Sequence, residues 1–125
     1  MKKVLVSNGF GAGFGTWCTP GKFFAEHPKL IDAVERGVRF NASAEPSLGS
    51  LRGLRGVEYY RAALAQQPPV FFEVVEEAYE KFGRDTSVYF GGFNDCEVVT
   101  VNGPYRIDEY DGAETLVEAC DQEWW

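Results

Sequence analysis

The spacing of apolar and polar residues changes character along the chain, and each regime predicts its own elements. Residues 3–7 (Lys-Val-Leu-Val-Ser) are a short β-branched run ended by Asn8-Gly9. Such a run reads as a strand buried on both faces and central in its sheet. Helical spacing follows. Thr19 before Pro20 offers a capping oxygen and a proline for the first helical position, so a short helix is expected through Phe23 and Phe24. Pro28 biases His27 out of helical geometry and opens a second helix, with Leu30, Ile31, Val34 and Val38 inward and Gly37 as its stop. Residues 57–67 suit a third helix with Tyr60 and Leu64 inward, closed by Pro68-Pro69. The clearest helix covers residues 70–83. Phe71, Val74, Val75, Ala78 and Phe82 form its inner stripe, Glu73, Glu76, Glu77 and Glu80 its wet side, and Gly83 its stop.

After Thr86 the period becomes two. Residues 87–90 read as a strand broken by Gly91-Gly92, and residues 96–101 as another. Asn102-Gly103 and Asp111-Gly112 are hairpin signals that frame a strand over residues 105–110 and a last strand over residues 114–119. The expectation is one α+β domain spanning residues 1–125. It has a five-stranded mixed sheet, a C-terminal antiparallel meander and two to four helices packed on one face. Residues 113–120 also tolerate a helix, so that segment stays open between strand and helix. Residues 48–56 are nearly a three-residue Gly/Arg repeat, which opposes both helix and strand and reads as a surface loop.

Composition narrows the class. At 125 residues with 45% hydrophobic and 15% aromatic content, the chain can bury roughly two-thirds of its unfolded surface in one core. No apolar run approaches the roughly 18 residues of a membrane span, and three widely spaced cysteines argue against a disulfide framework, so a cytoplasmic protein without membrane contact is expected. The net charge of -7 is unevenly spread. Residues 1–62 hold nine Lys/Arg against five Asp/Glu, whereas residues 63–125 hold three against fourteen. An acidic C-terminal half disfavours direct nucleic-acid binding and suits a partner protein with a basic surface.

The segment after the first strand, Ser7-Asn8-Gly9-Phe10-Gly11-Ala12-Gly13-Phe14-Gly15-Thr16-Trp17, is the leading candidate site. Its glycines can present consecutive backbone N–H groups to an anion, and Phe10, Phe14 and Trp17 can either fill the core or stack on a ring. Neither familiar nucleotide loop fits. From Gly9, Gly11 and Gly13 the sixth residue is Phe14, Thr16 and Cys18 where a dinucleotide loop needs glycine or alanine, and the phosphate loop before Gly21-Lys22 would need glycine where Thr16 stands. The second candidate cluster is Arg106, Asp108, Glu109 and Tyr110. On a strand, Glu109 shares a face with Tyr105 and Ile107, so it is either a buried carboxylate that needs a partner or, the preferred reading, a residue at the sheet's edge in water. Pairing Cys18 with His27 for nucleophilic catalysis lacks an orienting acid, and no Cys or His pair has zinc-ligand spacing. Neither catalytic residues, nor a metal, nor a cofactor is assigned.

Residues 4–17 (VLVSNGFGAGFGTW) and 105–116 (YRIDEYDGAETL) together resemble segments of small accessory proteins encoded by bacteriophages and prophages. The resemblance implies a viral accessory role in which a small acidic protein binds and blocks a host component, and it carries no catalytic residues. Two other expectations stand beside it. One is a nucleotide- or small-anion-binding protein using the glycine loop, with Arg106 as a charge clamp. The other is a phage structural or packaging component that forms a homo-oligomer, its Trp124-Trp125 end suited to an interface.

Overall fold

Strand β1 (Lys2–Ser7) lies between two hydrophobic clusters, as its apolar run predicts. The computed structural model describes residues 2–9, 13–41 and 53–118. In these, β1 is followed by α1 (Gly21–Ala25), α2 (Pro28–Glu35), α3 (Gly56–Ala63), α4 (Pro69–Phe82), β2 (Cys96–Val101), β3 (Tyr105–Tyr110) and β4 (Ala113–Glu118). Short 3-10 turns occupy Gly15–Trp17, Gly83–Asp85 and Phe93–Asp95.

The class is α+β, but the five-stranded mixed sheet is replaced by two antiparallel pairs, β1 with β2 and β3 with β4. Two local causes account for this. A two-residue Asn102-Gly103 hairpin would need an N–H on the next residue to close its first rung on Val101, and that residue is Pro104. The connection therefore turns β3 out of the first sheet. In the expected strand over residues 87–90, only Ser87 makes a bridge, exchanging backbone bonds of 2.7 and 2.8 Å with Thr19. The next two N–H groups are taken by the Tyr60 hydroxyl and the Cys18 sulfur instead of a ladder. The same bridge holds Thr19 extended, so Pro20, not Thr19, is the residue that flanks α1.

The second hairpin forms as expected. Asp111 and Gly112 both take positive φ (50° and 87°), the backbone that matches a two-residue turn to strand twist. Residues 113–118 are thereby strand, and residues 119–125 lie outside the described residues. So do residues 42–52, which contain most of the expected Gly/Arg loop; its last residue, Gly56, opens α3.

Alternation along β1 organises the layers. Leu5, paired with Val98, joins Phe14, Phe24, Leu30, Phe71, Val74, Val75, Phe90 and Phe93 on the helical side. Val4 and Val6 point the other way and meet Val101, Tyr105 and Ile107, with Val99 and Leu116 at the margin. Helices thus cover one face of the β1–β2 pair and the β3–β4 hairpin covers the other. Helix α4 buries Phe71, Val74, Val75 and Ala78 as its periodicity predicts. The exception is Phe82, expected inward but 36% exposed at the last turn, where it packs on Phe23.

Phe71 is the centre of the helical-side cluster: its ring lies 4.9 Å from those of Phe90 and Phe93 and 5.3 Å from that of Phe40. Truncating such a side chain removes burial and leaves a cavity. Phe71→Ala should cost about 3–5 kcal/mol in urea unfolding, whereas Phe82→Ala, at the exposed end of the same stripe, should cost well under half of that.

Candidate functional site

The glycine segment does build an anion cradle, and the anion in it is the protein's own. Glu114 on β4 is 3% exposed. Its Oε1 accepts the Ser7 N–H at 2.9 Å, while Oε2 accepts the Phe14 N–H at 3.0 Å, the Thr16 N–H at 2.9 Å and the Thr16 hydroxyl at 2.5 Å. Four donors, on Ser7, Phe14 and Thr16, satisfy one buried carboxylate, which a buried charge requires. A Cβ on Gly13 would sit 3.0 Å from the Trp17 indole, a tight contact, so glycine there leaves room for the ring.

Register explains the choice of carboxylate. Counting back from the Asp111-Gly112 turn, Glu109 stands directly opposite Glu114. Like charges so placed repel. Each therefore has its own donors: Glu109 accepts the Trp17 indole N–H at 2.9 Å and the Gly112 N–H at 2.7 Å. Those bonds, the Gly112 one foremost, hold the Glu109 carboxyl below its ordinary range. One rung of the hairpin thus grips residues 14–17 with two carboxylates. Of the two readings open for Glu109, the structure shows the solvent-facing one: it is the exposed member of the rung. Its cross-strand neighbour is the buried one, and the signal for it was the turn register combined with the apolar pair Ile107–Leu116 on the same face.

The other candidate residues divide clearly. Phe14 is fully buried against Phe90 and Phe93 and is core; Gly15 is buried beside it. Trp17 is 37% exposed and packs on Tyr89, itself 39% exposed, with ring centroids 5.1 Å apart. A Cβ on Gly91 would fall against the end of the Tyr89 side chain, so glycine there leaves the ring its place. Asn8 is exposed and donates its N–H to the Asp95 carbonyl at 3.3 Å, and Gly9 abuts the Asp95 carboxylate. Phe10, Gly11 and Ala12 lie outside the described residues. Arg106 and Asp108 point to solvent and pair with each other at 3.0 Å, on the strand face opposite Glu109. Alternation therefore turns the Arg106 side chain away from the cradle. Tyr110 is 78% exposed.

Burial pushes the Cys18 thiol up to about 12, and its sulfur contacts the Tyr89 backbone. A thiol so placed is a poor nucleophile at neutral pH. His27 is committed elsewhere: Nδ1 accepts the Lys29 N–H at 3.1 Å and caps α2, and Nε2 lies 3.2 Å from Glu77 Oε2. Among the described residues, no group of three or more His, Cys, Asp or Glu side chains could hold a metal ion, and no helix is long and apolar enough to cross a membrane.

Comparison with protein-family models, curated proteins and solved structures finds no significant match for the chain.

Glu114→Gln keeps the shape but turns an amide NH2 toward at least one of the donors, so it should lose about 3 kcal/mol of stability, more than Glu109→Gln loses. For Glu114→Ala, adding millimolar formate should raise the melting temperature, while chloride at equal ionic strength should not. His27 gives a separate expectation. Burial, outweighing the pull of Glu77, lowers its folded pKa below the ordinary value of 6.5. The unfolded chain then binds the proton first, so the His27 contribution is complete above pH 6.5 and is lost as pH falls toward the folded pKa. His27→Asn, which retains a capping side chain, should flatten the fall in unfolding free energy measured between pH 7.5 and 5.5.

Proposed function

We propose that this protein is a non-enzymatic binding protein that engages a basic surface of a host protein and blocks or sequesters it, the accessory role its resemblance to phage proteins implies. The observation that carries this reading is the exposed pair Trp17–Tyr89 beside the ionised Glu109. Exposed aromatic side chains that cluster in this way are the usual anchors of protein interfaces. Both rings are held before any partner arrives: the indole by its bond to Glu109 and its seat over Gly13, the phenol by its seat on Gly91. Holding them lowers the entropy lost on association. An arginine or lysine from a partner would find a ring face for cation–π contact and a carboxylate for pairing.

A nucleotide at the glycine loop is less well supported, because Glu114 already takes the donors a phosphate would use.

The test is capture of host proteins at low and at moderate salt by the wild type and by Trp17→Ala and Tyr89→Ala. A partner of this kind should be basic, should weaken steeply with salt, and should lose about 30-fold in affinity on either substitution. Partners retained equally by both variants, or bound without salt dependence, would exclude this surface.

A further inference from the structure

A second site, distinct from the Trp17–Tyr89 patch and independent of the proposed function, lies where α1, the start of α2 and the end of α4 meet. It is an open depression of about 630 Å³. Its floor is aromatic: Phe23 packs edge-on against Phe82 at 5.4 Å and against the His27 ring at 5.1 Å. The exposure of Phe82, unexpected for the last residue of an inward stripe, opens this floor to solvent.

Charge distinguishes the depression from an ordinary hollow. Three lysines and two glutamates line it. Both glutamates have partners of their own. Glu26 accepts the Tyr105 hydroxyl and pairs with Lys2 at 3.4 Å, while Glu77 pairs with His27 and Lys29, each at 3.2 Å. Lys29 is spent in that pair and in a second with Glu73. Lys22 and Lys81 remain. Neither has a carboxylate within ion-pair distance among the described residues, and the Lys81 ammonium stands over the Phe23 ring, 5.7 Å from its centre. In a chain of net charge -7, two unneutralised ammonium groups beside an exposed aromatic floor form a local field of opposite sign.

We propose that this depression binds a small aromatic phosphate monoester, its ring against Phe23 and Phe82 and its dianionic phosphate met by Lys22 and Lys81. The volume falls within the range of small-ligand clefts, roughly 300–1,000 Å³. Two ammonium groups without a carboxylate partner suit the two negative charges of a phosphate better than the single charge of a carboxylate, and the ring accounts for a floor that inorganic phosphate would leave unused.

The experiment is an NMR titration of the full chain with phenyl phosphate, benzoate, inorganic phosphate and benzyl alcohol. Phenyl phosphate should shift the amides of Phe23 and Phe82 and bind at least about tenfold tighter than each of the other three. The double substitution Lys22→Gln/Lys81→Gln, at surface positions, should keep the wild-type spectrum and lose at least about tenfold in affinity. Trp17→Ala should leave the affinity unchanged, which separates this site from the proposed protein-binding patch. Benzoate or benzyl alcohol binding as tightly as phenyl phosphate, shifts confined to other surfaces, or full affinity in the double variant would each overturn the proposal.

Discussion

The contact on which the rest of the architecture depends is the buried carboxylate of Glu114 in its nest of backbone amides. It fixes three things at once. It ends β1 through the Ser7 N–H, shapes the following turn through the Phe14 and Thr16 N–H groups, and anchors the β3–β4 hairpin against the uncovered face of the first sheet. A two-stranded hairpin has little stability alone. Here it is held by its apolar face, Tyr105, Ile107 and Leu116, and by a charge that has no other place to be satisfied. Because an amide nest left empty and a carboxylate left unpaired are both costly in a buried setting, the contact selects one docking position for the hairpin.

From that docking position follows the exposed face. With Glu114 committed inward, its neighbour Glu109 reaches the indole of Trp17 from the rim, and the indole leans on Tyr89. The surface proposed for partner binding is therefore the outer edge of the same rung that locks the core. Binding residues and folding residues here are adjacent positions on two paired strands.

Much of this was legible in the residues. The 3.6-residue spacing of Phe71, Val74, Val75 and Ala78 placed α4 and its buried face, Pro28 and Gly37 bracketed α2, and Asp111-Gly112 fixed a true hairpin. The glycine loop was legible as an anion cradle. Its occupant was not, because the donors and the acceptor are about a hundred residues apart and only the three-dimensional docking of the hairpin brings them together. The sheet was misjudged for a related reason. Strand-forming stretches were visible, but which strands pair depends on single groups, the missing N–H of Pro104 and the competing acceptors Tyr60 and Cys18. The exposure of Phe82 was hidden by a periodicity that continues one turn past the edge of the core.

The same separation has a kinetic meaning. Phe14 and Glu114 are 100 residues apart, so on the ribosome the nest is synthesised some ~5–20 s before the carboxylate that fills it. The hairpin, being local, can close in microseconds once made, whereas its docking must wait for a long loop to be brought together. The Phe14 and Thr16 donors are therefore satisfied only in a chain whose β4 has already been made.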